Sequence, residues 1–139
     1  MRAPFFSGMV EIGWAIDALQ FAKRMEVALF RLLAFLSKRA DISPEWFRDY
    51  YENHHVPLVT RLAPPPPLYE RRFVCRDELL NTNEAAIDFD VVTEIGFPDQ
   101  SGYVAWRNLL YGATCRQQVV EDEAKFLDRA RTKTCVISS

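Results

Sequence analysis

Between residues 26 and 38 the chain reads EVALFRLLAFLSK, and its apolar side chains fall on both parities. Ala28, Phe30, Leu32, Ala34 and Leu36 share one side, and Val27, Leu29, Leu33 and Phe35 the other. A strand with one wet face alternates apolar with polar, so this pattern predicts a central strand covered on both faces. Ser43, Pro44 and Glu45 then supply an N-cap hydroxyl, a proline suited to the first helical turn and an acid near the positive helix end. Phe47, Tyr51 and His55 follow at intervals of four, which places them on one side of a helix. Pro57 and the run Pro64 to Pro67 are expected to end that helix and to stiffen the connection. A second strand over 68–76 puts Tyr69, Arg71, Phe73 and Cys75 on one parity and Glu70, Arg72 and Val74 on the other. After a turn at 81–83, the clearest alternation in the chain predicts a third strand over 87–97. There Ile87, Phe89, Val91, Thr93, Ile95 and Phe97 face one way, and Asp88, Asp90, Val92 and Glu94 the other. Asp99 or Ser101 caps a helix that Gly112 stops. A further helical piece covers 115–128, and a short strand over 132–137 closes the chain.

The order strand, helix, strand, strand, helix, strand is the split βαβ plan of an α+β, ferredoxin-like domain with an antiparallel sheet. In that plan both helices cover one sheet face. The doubly apolar first strand implies that the other face is also hidden from water, and a homodimer pairing sheet against sheet would hide it. Residues 1–24 stand apart as an N-terminal extension preceding a domain over 25–139. Apolar positions 5, 9, 12, 16 and 19 fit an amphipathic helix, weakened by Gly8 and Gly13, that packs on the domain or on a partner subunit; the alternative is a dispensable extension. Glu11 and Asp17 interrupt it, so it is read neither as a membrane span nor as a signal peptide.

Composition narrows the function. With 17 Lys and Arg against 19 Asp and Glu over 139 residues, the chain offers no electrostatic reason to bind a phosphate backbone, and nucleic acid is not an expected partner. Cys75, Cys115 and Cys135 are odd in number and far apart, which fits buried thiols in a reducing, cytoplasmic setting better than a disulfide framework or a metal site. No glycine-rich phosphate loop, serine elbow or metal-binding run is present, and neither a cofactor nor a metal is expected.

His55 is the leading chemical candidate. An imidazole on the face carrying Phe47 and Tyr51 points toward the sheet, where it can exchange a proton near neutral pH; the competing interpretation is a core histidine bonded to backbone. His54 lies about 100° round the helix and belongs at its edge or on the surface. Tyr51, one turn before His55, and Phe47 on the same face are the expected substrate contacts. Arg31, alone on an otherwise apolar parity, and Arg72 at mid-strand are candidates for a substrate carboxylate. Ion pairs with Asp88, Asp90 or Glu94 are the alternative for both. Trp46, Tyr50, Tyr103, Trp106 and Tyr111 read as core or interface aromatics, some of which could line an apolar cleft for a flat ring system.

The segment from Ser43 to Leu58, SPEWFRDYYENHHVPL, resembles the opening motif of the EthD family within the dimeric α+β barrel superfamily. An aromatic pair four residues apart on the helix is followed by His55, Pro57 and Leu58. The stretch Phe89-Asp90 through Glu94 and Phe97, and Asp122-Glu123-Ala124 with Phe126-Leu127, add to the likeness, which spans residues 25–139. The resemblance implies a homodimeric barrel and a small enzyme of an aromatic polyketide pathway. Its expected activity is cofactor-free decarboxylation of an anthrone-type carboxylic acid, with His55 as general acid or base. A polyketide cyclase of the same fold and a non-catalytic accessory or ligand-binding protein are the alternatives, because a fold does not fix a function.

Overall fold

The computed structural model describes residues 29–138, and the expected helix within residues 1–24 lies outside them. Four strands, β1 (Phe30–Leu36), β2 (Leu68–Phe73), β3 (Val91–Phe97) and β4 (Lys133–Ile137), form one sheet in the order β2-β3-β1-β4. All three pairings are antiparallel, with Leu32 opposite Ile95 and Val136, and Tyr69 opposite Ile95. This is the ferredoxin-like α+β topology. β1 lies at the centre, as its doubly apolar pattern predicts, and β3 lies beside it. β3 starts at Val91 rather than at residue 87, because 87–89, which follow a 3₁₀ turn at Glu84–Ala86, are irregular and the chain bends at Asp90. The main chain at Asp90 instead donates to the Leu36 carbonyl.

The first helical run begins where Ser43 accepts a hydrogen bond from the Trp46 N–H at 3.1 Å. It consists of α1 (Pro44–Tyr50), a π-helical turn (Tyr51–His55) and α2 (Val56–Leu62). Pro57 does not end it. A proline ring in a regular α-helix presses on the carbonyl four residues back, here that of Asn53. The wider turn just upstream, in which the Val56 N–H bonds to the Tyr51 carbonyl five residues earlier, gives the ring room. The run stops at Ala63, extended before the four prolines.

α3 (Gln100–Leu110) starts at Asp99, whose carboxylate accepts from the Gly102 N–H at 2.9 Å, and α4 (Arg116–Phe126) follows after a short connection. All four helices lie on one face of the sheet. They bury Leu32, Ala34 and Leu36 of β1 and Val91, Thr93 and Phe97 of β3. One core cluster joins these strands to the first run and α4 through Phe47, Tyr51, Phe126 and Leu127. A second holds Val59, Ala63, Leu110 and Val119 between helices. Each large side chain so buried contributes about 1.5–3 kcal/mol.

On the opposite parity stand Arg31, Leu33 and Phe35 of β1, Val92 and Glu94 of β3, Glu70 and Arg72 of β2, and Ile137 of β4. Phe35 packs edge-on against Phe89 with ring centroids 5.0 Å apart. Two of the three cysteines do not match the expectation of buried thiols. Cys75 follows β2 and Cys135 sits on the edge strand β4, so both are exposed, and Cys115 is half-buried. Among the described residues no helix is long and apolar enough to cross a membrane.

Candidate active site

Because Tyr51 and His55 open and close the π-helical turn, both rings face the sheet, with exposures of 2% and 8%. The His55 ring lies 5.3 Å from Tyr51 and 4.9 Å from Phe126, an apolar packing that leaves its nitrogens dependent on specific partners. One such partner is Asp122 on α4, whose Oδ2 is 2.7 Å from His55 Nδ1. The other carboxylate oxygen, Oδ1, accepts from the Tyr50 hydroxyl at 2.6 Å. Burial pushes the Asp122 carboxyl up, but the hydrogen bonds from His55 and Tyr50 more than reverse this and hold it below the ordinary carboxylate range. An ionised Asp122 fixes the His55 proton on Nδ1 and leaves Nε2 as the nitrogen free to act on a ligand.

Tyr51 completes the wall. Its hydroxyl is 2.7 Å from Thr93 Oγ1 on β3, and burial pushes the phenol up to about 12, so it stays protonated. Burial likewise raises Tyr69, on β2, well above its ordinary value. Arg71 closes this end. It forks onto Glu52 at 2.6 and 3.1 Å and lies over the Tyr69 ring at 4.6 Å.

Between these residues and the sheet opens a cavity of about 530 Å³, a size suited to a drug-sized ring system. Tyr51, His55 and Thr93 line one side, Leu32, Ile95 and Tyr69 form the floor, and Tyr103, Trp106 and Tyr111 face them from α3 and its end. A second polar pair enters from α4 and beyond. The Tyr111 hydroxyl donates to Glu123, which also accepts from Arg129 Nε at 2.8 Å. Burial and the adjacent Glu123 carboxylate push the Tyr111 phenol up.

The residues picked from sequence divide cleanly. His55 and Tyr51 line the cavity. Phe47 does not: at 1% exposure it sits beneath them, against Phe73 and Phe126, and shapes the site only through packing. Arg31 and Arg72 lie on the far sheet face, since residues of that parity cannot reach the helix side. Both pair with Glu94, at 3.3 and 3.1 Å, and Arg72 pairs with Glu70 as well. His54 is exposed and stacks on Tyr50 at 4.9 Å, outside the cavity. Of the aromatics expected to fill the core or line a cleft, Tyr103, Trp106 and Tyr111 line the cavity and Tyr50 does not, whereas Asp122 and Glu123 were given no site role by the sequence. Their signal was there in α4, where Val119, Asp122, Glu123 and Phe126 share one helical stripe: two acids at core positions demand buried partners. Among the described residues no cluster of His, Cys, Asp or Glu is arranged to hold a metal ion.

The family model described as EthD domain matches residues 39–130. No curated protein matches the sequence. Among solved structures, an EthD family protein from Bacillus halodurans superposes with a TM-score of 0.53 at 16% identity, covering 80% of this chain and 98% of its own. A protein from Arabidopsis thaliana gives 0.53 at 11% identity, covering 79% and 94%. A dimeric protein of unknown function with a ferredoxin-like fold from Bacteroides fragilis gives 0.50 at 5%, covering 81% and 97%. At such identities these structures establish the fold alone.

Proposed function

From a chain that belongs to the EthD family, we propose a cofactor-free lyase that decarboxylates an aromatic polyketide carboxylic acid of anthrone type, with His55 as the proton donor. The observation that carries this reading is the His55–Asp122 contact of 2.7 Å at the wall of an aromatic cavity. The substrate supplies the electron sink. As the bond between the ring carbon and its carboxylate breaks, CO₂ departs, and the electron pair stays on the ring carbon, delocalised onto a phenolic or keto oxygen. A proton from His55 Nε2 then forms the new C–H bond, and solvent restores the imidazolium. Asp122 orients the ring and stabilises its protonated form. The aromatic and aliphatic walls exclude bulk water from the reacting ring, and the carboxyl group leaves as a neutral gas. Tyr51 and Tyr69, both kept protonated, line the space where the substrate oxygens would lie.

Ring closure is the second reading, and the Tyr111–Glu123 pair favours it. An intramolecular aldol step needs a base at one carbon and a hydrogen-bond donor at a carbonyl, and this cavity has two separate acid–base groups. The test is to incubate the protein with an anthrone-type acid and follow CO₂ release. Under the leading reading CO₂ evolves, and His55→Ala lowers turnover by roughly 10²- to 10⁴-fold, the span of general acid–base catalysis. A cyclised product that keeps its carboxyl group rejects decarboxylation in favour of closure. Product formation unchanged by His55→Ala rejects catalysis by this histidine and leaves a ligand-binding protein.

The same reading takes the assembled enzyme to be a homodimer joined through the sheet face that bears Leu33, Phe35, Val92 and Ile137. The dimeric Bacteroides fragilis protein of similar fold supports it.

A further inference from the structure

The cavity's charge is out of step with the chain that forms it. The whole sequence carries a formal net charge of −2, yet three guanidinium groups, Arg107, Arg116 and Arg129, line the cavity against a single carboxylate, Glu123. Arg129 already answers Glu123 at 2.8 Å. Arg107, in the last turn of α3, and Arg116, at the first position of α4, have no ion pair or side-chain hydrogen bond among the described residues. They flank the short connection 111–115 between the two helices, and both line the cavity. Beside them Trp106, also in the lining, has a buried indole N–H without an acceptor. A buried donor left unpaired is costly, and among the described residues none accepts from it. Two solvent-exposed cations without a protein partner among the described residues and one orphan donor therefore line a cavity whose other walls are mostly aromatic and aliphatic, with Thr93, Thr132 and Thr134 among them.

We infer that Arg107 and Arg116 form an anion subsite that receives the ionised carboxylate of an amphipathic aromatic acid, with the Trp106 N–H as an additional donor to the same ligand. Guanidinium is suited to this because its planar fork meets a carboxylate with two parallel N–H bonds. The subsite takes over the role that the sequence suggested for Arg31 and Arg72, which are occupied with Glu94 on the far face. The inference rests on the proposed reaction only for the aromatic nature of the ligand; recognition of the acid is a property of binding and does not require turnover.

The test uses two probes of one shape, 2-naphthoate and 2-naphthamide, titrated onto the full-length protein by calorimetry or tryptophan fluorescence. The wild-type protein is expected to prefer the acid by about tenfold, with the preference shrinking as salt is added. Arg107→Gln and Arg116→Gln should each reduce the preference and the double variant abolish it, with amide affinity unchanged. Arg→Lys at both positions should restore part of it, since the charge returns without the fork. Arg72→Gln, on the other sheet face, should leave the preference intact. Equal affinity for the two probes in the wild-type protein, or a preference that survives in the double glutamine variant, overturns the proposal. With a substrate in hand, ion pairing stabilises the ionised acid but not departing CO₂, so the double variant raises KM without lowering kcat. His55→Ala does the reverse, lowering kcat while leaving the acid preference in place, and the two ideas therefore fail separately.

Discussion

Asp122 gives each of its oxygens to a different neighbour, one to His55 and one to Tyr50, and this division determines what a substitution there will do. In Asp122→Asn the amide has the same shape but one oxygen becomes an NH₂ group, a donor. If the oxygen stays with the Tyr50 hydroxyl, the NH₂ must donate to His55 Nδ1, and the imidazole proton moves to Nε2. The fold is kept, but the carboxylate that stabilised the imidazolium is gone and a neutral imidazole is a far weaker acid at Nε2, so turnover should drop by about two or more orders of magnitude while the circular dichroism spectrum is unchanged. Stability should fall by about 1–3 kcal/mol in urea titrations at neutral pH, the scale of a lost charged hydrogen bond. Its pH dependence has a definite sign. The folded-state pKa of Asp122 lies below the unfolded value, so its contribution is full above the unfolded pKa and is lost as pH falls through the folded one. The gap between wild type and Asp122→Asn should therefore be wide at pH 7 and close as acid is added below about pH 4. A gap that widens in acid would contradict the ionised carboxylate. His55 itself could be read from its four-residue spacing with Phe47 and Tyr51. Its partner could not, because pairing Asp122 with His55 needs the packing of α4 against the π-helical turn, 67 residues away in sequence.

At the scale of elements, two glycines of α3 and its end make opposite predictions. Gly112 lacks a positive φ, so its requirement is one of space. A Cβ there would stand 2.4 Å from the Asn108 carbonyl oxygen, a backbone atom that cannot swing aside. Gly112→Ala should destabilise by about 1–3 kcal/mol and, by shifting Tyr111 next door, disturb the cavity wall. A Cβ at Gly102, in the first turn of α3, meets only ordinary contacts, the nearest being Phe97 Cβ at 3.4 Å. There alanine removes backbone freedom from the unfolded chain, and the gain should be up to about 1 kcal/mol. Paired thermal melts settle both signs. The elements were legible where local chemistry decides them. Ser43 and Asp99 cap as their side chains predict, and the two-sided pattern of β1 placed it at the sheet centre. What escaped was decided by register. Pro57 looks like a helix terminator until an extra residue in the preceding turn makes space for it. The alternation that seemed to begin at residue 87 becomes strand only from Val91, because 87–89 are irregular and the chain bends at Asp90, and Phe89 packs on Phe35, on the face opposite to its expected neighbours.

For the whole molecule, the two sheet faces divide the work. The helix side holds the cavity and both acid–base pairs. The other side holds an ion-paired corner, Arg31 and Arg72 around Glu94 with Glu70, next to an apolar strip of Leu33, Phe35, Val92 and Ile137. Such a face is self-complementary in kind. A two-fold axis through it would set apolar side chains on their own copies, while the charges around Glu94, at the middle of β3, keep their partners within one chain. The prediction is a homodimer in sedimentation velocity that Val92→Lys converts to a monomer, because a lysine beside Phe35 on that face would have to be buried without a partner. Phe35→Glu should do the same, and its loss of packing on Phe89 makes it the less selective of the two. Exposed substitutions on the helix side, such as Gln118→Lys, should leave the dimer intact. A wild-type protein that sediments as a monomer, or a dimer indifferent to Val92→Lys, would remove the sheet face from the interface. Because His55, Asp122, Arg107 and Arg116 all belong to the helix side of one chain, the monomeric variant should still prefer 2-naphthoate to its amide, and assembly and acid recognition can be separated in one protein.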